Sequence, residues 1–160
     1  MNFYQDLGYL VFGSRLKRLS EAFLNDVNAV YKKHNINFDA SWFPVFYILS
    51  KKEEVSIKYI SGELNISHSA ASQMVTSLQE KGFIKSVISK KDARHKAVTF
   101  TAKGEKLLQK AEPVWIALQQ AMETLANENK ESSGLLTALT AIENNLKKAT
   151  VLERIENILQ

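Results

Sequence analysis

The sequence predicts a mainly α-helical chain with a small β-hairpin, on three observations. Ser67 to Gly82 reads as a short helix with one apolar face and one uncharged polar face. Directly after it, Ile84–Ser89 and Ala97–Thr101 read as two strands around a polar, basic tip, Lys90 to Lys96. Long amphipathic segments occupy both ends of the chain. Helix, tight turn, helix and basic hairpin together make a winged helix-turn-helix, set here between N- and C-terminal dimerisation helices. The expected division is one intertwined domain: a helical dimerisation region, 1–34 with 105–160, and a winged helix-turn-helix region, 35–104.

The first helix is predicted from about Asp6 to His34. Phe12, Leu16, Leu19, Phe23, Val27 and Val30 recur every three or four residues and form one apolar stripe. A helix so long exceeds what a small reading module needs. Part of its stripe is expected to pack on the C-terminal helices or on a second chain. Asn35 to Asp39 then breaks the pattern. In DASWFPVFYILSK, Asp39 or Ser41 caps the next helix, and Pro44 is tolerated because it lies in the first turn. Trp42, Val45, Phe46, Ile48 and Leu49 are core candidates. Ser56 caps a further helix in which Ile57, Ile60 and Leu64 share a face, and Asn65-Ile66-Ser67 is the turn, with Ile66 pointing inward.

Ser67 is a natural N-cap for the helix that follows. Ala70, Ala71, Met74, Val75 and Leu78 mark its buried face, and Gly82 stands where a C-cap glycine is expected. The opposite face holds His68, Ser69, Ser72, Gln73, Thr76 and Gln79. A solvated helix face normally carries Lys and Glu. Short or flexible side chains that both donate and accept hydrogen bonds suit base edges and phosphates instead. Beyond the hairpin, Thr101 caps a helix running to about Leu125, with Pro113 expected to kink it. Asn127 to Gly134 reads as a loop. A last helix carries Leu135, Leu139, Ile142, Leu146, Leu152, Ile155 and Leu159, close to a coiled-coil seam.

Charge is concentrated where the polar helix and hairpin lie. Ser67 to Gly104 holds seven Lys or Arg (81, 85, 90, 91, 94, 96, 103) and two acids, Glu80 and Asp92, against a net charge of +4 for the whole chain. That is the electrostatic footprint of phosphate binding, although surface hairpins also carry lysines for solubility alone. The absence of cysteine excludes disulfides, thiolate chemistry and sensing by thiol oxidation. No apolar run is long enough to span a membrane, and no secretory signal is present at the start, so cytoplasmic residence is expected.

The run Asp92-Ala93-Arg94, followed by Val98 to Gly104, resembles the wing signature of the MarR (multiple antibiotic resistance regulator) family. That signature has Asp-x-Arg at the wing tip and Leu-Thr-x-x-Gly opening the next helix; here Phe100 stands in the place of Leu. SIKYISGELNISHSAASQMVTSLQEKGFI and SWFPVFYIL fit the same family's helix-turn-helix and the helix before it. The resemblance implies a homodimer that binds double-stranded DNA at a pseudo-palindrome and acts as a repressor. It assigns Arg94 to the minor groove and Asp92 to stabilising the wing. Ser67, His68, Ser69, Ser72, Gln73 and Thr76 then take the major groove, with Lys90, Lys91 and Lys96 on phosphates. It also implies release by a small aromatic or anionic effector whose site residues are unknown. Trp42, Phe43, Phe46 and Tyr47 read either as core or as the lining of such a cleft.

Enzymatic machinery is missing from the sequence: there is no Gly-rich phosphate loop, no HExxH and no Gly-x-Ser-x-Gly elbow. His34, His68 and His95 fall on three different elements, so neither a metal nor another cofactor is expected. A winged-helix module that binds protein and no DNA is the remaining alternative. The basic wing and neutral polar helix face argue against it.

Overall fold

The computed structural model describes residues 2–88 and 96–160. Two compact units divide the chain, Met1–Trp115 and Ile116–Gln160.

In the first unit, α1 (Phe3–Asp6) and a 3-10 turn (Gly8–Val11) precede α2 (Phe12–Lys33). The single helix expected from Asp6 to His34 is therefore broken near its start. Gly8 accounts for the break, because its φ of +52° lies in the left-handed region that glycine enters without a Cβ penalty. Asn28, on α2, accepts the Ala40 amide on its Oδ1 at 2.8 Å, which holds the 3-10 turn Ala40–Trp42 against that helix. Of the two capping candidates Asp39 caps this 3-10 turn, its carboxylate accepting the Ser41 amide at 2.8 Å, whereas the helix that follows starts after Trp42 with no side-chain cap. Pro44 sits in the first turn of α3 (Phe43–Lys51), where its missing N–H costs nothing.

α4 (Ile57–Leu64) begins at Ser56, whose hydroxyl accepts the Tyr59 amide at 3.1 Å. α5 (His68–Glu80) follows after the short turn. The hairpin pairs β1 (Ile84–Ile88) with β2 (Lys96–Phe100) antiparallel, Ile84 opposite Phe100 and Ile88 opposite Lys96. Val55 adds a bridge on the other side of β2. Its amide donates to the Val98 carbonyl at 3.0 Å, and the Val98 amide donates back at 2.8 Å. The wing is thus fastened at its base to the chain between α3 and α4.

One core joins the C-terminal part of α2 to α3, α4, α5, the hairpin and the start of α6 (Ala102–Ala126). Val45, Phe46, Ile60, Ala71, Val75, Leu78, Phe83, Ile84 and Val98 are buried, together with Tyr31 from α2 and Leu107 and Ala111 from α6. Phe38 packs 4.9 Å from Tyr31 and 4.9 Å from Phe46, and Phe46 packs 5.0 Å from Phe100, all tilted or edge-on as aromatic quadrupoles prefer. The Trp115 indole N–H donates to the Tyr31 hydroxyl at 2.9 Å. Burial raises the Tyr31 pKa, and that hydrogen bond offsets part of the rise. Pro113 lies inside α6, which continues past it to Ala126.

The second unit contains the end of α6, a single turn α7 (Lys130–Ser133), α8 (Leu135–Lys148) and α9 (Val151–Leu159). The one long last helix expected is thus two. Ala149 turns extended, and Thr150 starts a new helix with a capping box: its hydroxyl accepts the Glu153 amide at 3.2 Å, and the Glu153 carboxylate accepts the Thr150 amide at 2.6 Å. Neither α8 nor α9 buries a residue.

Candidate nucleic-acid interface

The helix-turn-helix is built by local chemistry. Asn65 ends α4 in the left-handed region (φ +52°), a conformation asparagine tolerates, and the Ile66 amide returns to the Ser61 carbonyl at 3.1 Å. Ile66 is half-buried against the core. The Ser67 hydroxyl then accepts the Ala70 amide at 3.1 Å and opens α5. Ala71, Val75 and Leu78 are essentially sealed from solvent, with Ala70 and Met74 half-buried beside them. Fixing that face leaves Ser67, His68, Ser69, Gln73 and Thr76 exposed and Ser72 half-buried on the others. All six proposed major-groove residues reach the surface on or beside one short helix.

A joint between α5 and α6 locks the end of this helix. The Thr101 hydroxyl lies 2.7 Å from the Gly82 carbonyl and 3.1 Å from the Phe83 carbonyl, either of which accepts its proton, and it accepts the Gly104 amide at 3.1 Å. Thr101 is therefore the cap expected for α6, and it also holds the chain leaving α5. The Lys103 ammonium donates to the Lys81 carbonyl at 2.7 Å, where the end of a helix leaves carbonyls unpaired and favours a cation. Gly104 is required by contact rather than by φ. A Cβ there would stand 2.0 Å from the Phe83 carbonyl oxygen and 2.9 Å from the Phe100 ring. Gly82 fulfils its expected role, with φ +73° just after α5.

The wing lies beside α5. Gln79 donates from Nε2 to the Ser86 hydroxyl at 2.8 Å and so ties the last turn of α5 to β1. The sequence pattern grouped Gln79 with the outward polar face. Its link to β1 depends on the chain reversing at Gly82, which helical periodicity does not register. Lys85, Ser86 and Lys96 are exposed on the strands. Lys90, Lys91, Asp92, Arg94 and His95 lie outside the described residues. Lys103 and Lys81 add cationic groups near the end of α5 that the recognition pattern did not single out, and Lys81 lies over the Trp42 ring at 5.4 Å.

Other candidate features separate cleanly. Phe46 is fully buried and Trp42 packs on the core, whereas Phe43 and Tyr47 are exposed along one edge of α3 and stack near Trp115 at 4.9 and 6.3 Å. His34 and His68 are both at exposed helix ends. Among the described residues, no cluster of His, Cys, Asp and Glu could hold a metal ion, and no helix is long and apolar enough to cross a membrane.

Comparison with known proteins extends this geometry. The model of the MarR family matches residues 36–95. No curated protein matches the sequence. Among solved structures, a cysteine-to-serine mutant of MarR from E. coli, complexed with operator DNA, superposes with a TM-score of 0.66 at 15% identity, over 88% of this chain and 97% of that one. CouR, a transcriptional repressor bound to a 23-mer DNA duplex, gives 0.66 at 21% identity, over 86% and 96%. BpsR of Bordetella bronchiseptica, whose DNA binding is regulated by 6-hydroxynicotinic acid, gives 0.63 at 17% identity, over 82% and 91%. Residues 36–95 thus match the MarR family model, and the chain has the fold of the solved MarR and CouR structures.

Proposed function

We propose that this chain is a homodimeric, sequence-specific DNA-binding regulator that represses transcription from a pseudo-palindromic operator. The observation that carries the reading is the outward face of α5. It presents Ser67, His68, Ser69, Ser72, Gln73 and Thr76, hydrogen-bonding and largely uncharged, on a helix whose other face is locked into the core. These side chains read the major groove. Lys90, Lys91 and Lys96 engage phosphates, and Arg94, supported by Asp92, enters the minor groove. Arginine suits a narrow minor groove because it is more weakly hydrated than lysine. The E. coli MarR mutant complexed with operator DNA and CouR bound to a DNA duplex share this fold, which supports the DNA-binding reading.

The dimer forms through residues 1–34 and 105–160 and sets two reading heads about 10 base pairs apart. In support, Leu16, Leu19 and Phe23 remain exposed on α2, and Leu146, Leu152 and Ile155 on α8 and α9. A small aromatic or anionic ligand releases the operator by binding the non-DNA geometry better, since a ligand shifts an equilibrium only through differential affinity. The regulation of BpsR by 6-hydroxynicotinic acid is the parallel for this step.

Titration of a labelled mixed-sequence duplex at rising salt tests the DNA reading. Affinity should fall roughly a thousandfold between about 50 and 200 mM salt, as phosphate contacts release counterions. A chain with no affinity at low salt would be a protein-binding module instead. Gln73→Ala should reorder the preferred duplex sequences; a uniform loss would make Gln73 a positioning contact.

A further inference from the structure

Gln79 stands where the core face of α5, its outward polar face and the hairpin meet. It follows the sealed Val75 by four residues and the exposed Thr76 by three, so it borders both faces of the helix. Its Nε2 donates to the Ser86 hydroxyl at 2.8 Å. Ser86 lies opposite Val98 in the hairpin, and strand alternation puts it on one face with Ile84 and Ile88. Along that face Ile84 is 2% exposed and Ile88 is 71% exposed. The hairpin therefore leaves the core at Ser86, and the Gln79 amide holds β1 at that point. β2 is held separately, by the Val55 bridge and by the Thr99 hydroxyl, which donates to the Glu53 carbonyl at 2.6 Å. A tilt about Ser86 displaces the outer pair, Ile88 and Lys96, more than the pair at the base, Ile84 and Phe100.

We propose that Gln79 is a positioning residue: its bond to Ser86 sets the angle between the hairpin and α5, so that both elements meet one duplex together. This role rests on the DNA-binding function proposed above. Gln79 acts through Ser86 and not by touching a base. Without the bond the hairpin samples several tilts, and ordering it on DNA costs conformational entropy that the bond had already removed. Lys96 then loses part of its phosphate contact.

Four variants of the full chain test the role. Gln79→Met keeps the side-chain length and removes the amide; Ser86→Ala removes the hydroxyl; the third combines the two; Ser86→Thr keeps the hydroxyl. Affinity for a labelled mixed-sequence duplex is measured across a salt series, and amide exchange in β1 is followed without DNA. The first three should bind about three- to tenfold more weakly at low salt, with the double variant no worse than either single one. Their salt slope should shrink by about one, as a phosphate contact is lost, and β1 exchange should accelerate. Ser86→Thr should match the unaltered chain. Gln79→Ala replaces Gln79→Met if that variant does not fold. A bond that serves stability alone would lower the denaturation midpoint and leave the slope unchanged, which overturns the positioning role. Additive losses in the double variant, or a loss with Gln79→Met but not with Ser86→Ala, make Gln79 a separate contact and overturn it too. A chain that ignores DNA at every salt overturns the function proposed above. In that case faster β1 exchange in the three variants still supports the brace on the hairpin, and unchanged exchange overturns it.

Discussion

The two units bury their apolar side chains to opposite degrees. Residues up to Trp115 form an aromatic and aliphatic core in which Val45, Phe46 and Ile60 are fully sealed. From Ile116 onward no side chain is buried, although Leu135, Ile142, Leu146, Leu152, Ile155 and Ile158 recur at helical spacing. Burial gains roughly 25 cal/mol per Å² of apolar surface, so amphipathic helices left this exposed gain most from a further partner. The first unit holds a sealed core, although Leu16, Leu19 and Phe23 of α2 stay exposed there too; the second unit holds none, and both exposed stripes fit the proposed dimer.

Substitutions can break or sharpen that contrast. Phe46→Ala empties the centre of the first unit, where the ring touches Phe38, Phe83 and Phe100, and should cost about 3–5 kcal/mol in chemical denaturation. A loss below about 1 kcal/mol would mean that this core is loosely packed. Gly104→Ala drives a Cβ into the Phe83 carbonyl and should cost about 1–3 kcal/mol. Gly62→Ala, on α4 with nothing within 4 Å of its Cβ, should instead stabilise by up to about 1 kcal/mol, so the pair separates contact from propensity.

Ile155→Asp, on exposed α9, should change the folding stability of the isolated chain by less than about 0.5 kcal/mol. Sedimentation should nevertheless show the loss of the dimer. A large loss of monomer stability would place Ile155 in the chain's own packing. The smallest effect concerns acid. Hydrogen bonds from the Thr150 backbone and side chain hold the Glu153 carboxyl below its ordinary range, with Arg154 adding a weaker pull. Its folded pKa is depressed, so its support for the start of α9 is present above the ordinary glutamate pKa and is lost as pH falls through the depressed one. Amide exchange in the first turn of α9 should accelerate over that acid window relative to α8. Parallel changes in both helices would remove the capping box as the cause.

Much of this architecture was legible in residue chemistry. Ser56, Ser67 and Thr101 cap the helices they were expected to cap, and Gly82 ends α5, because each acts on neighbours within a few residues. The breaks at Gly8 and Thr150 were passed over because apolar periodicity continues across them. Thr150-x-x-Glu153 was nonetheless the signature of a capping box. The Val55–Val98 bridge joins residues far apart in sequence, and no local pattern encodes it. For the interface, the outward face of α5 followed from its buried face, since one fixes the other on a helix. The Lys103–Lys81 and Gln79–Ser86 links depend on the chain reversing at Gly82, and helical spacing carries no record of that.

The central claim is that two copies present the α5 face to DNA and read its sequence. Selecting bound duplexes from a random pool, with the purified chain at moderate salt, tests it most directly. Enrichment of an inverted repeat, with half-sites about 10 base pairs apart, is the expected result. A bound pool that stays random would contradict specific reading, and enrichment of a single half-site would contradict the dimer.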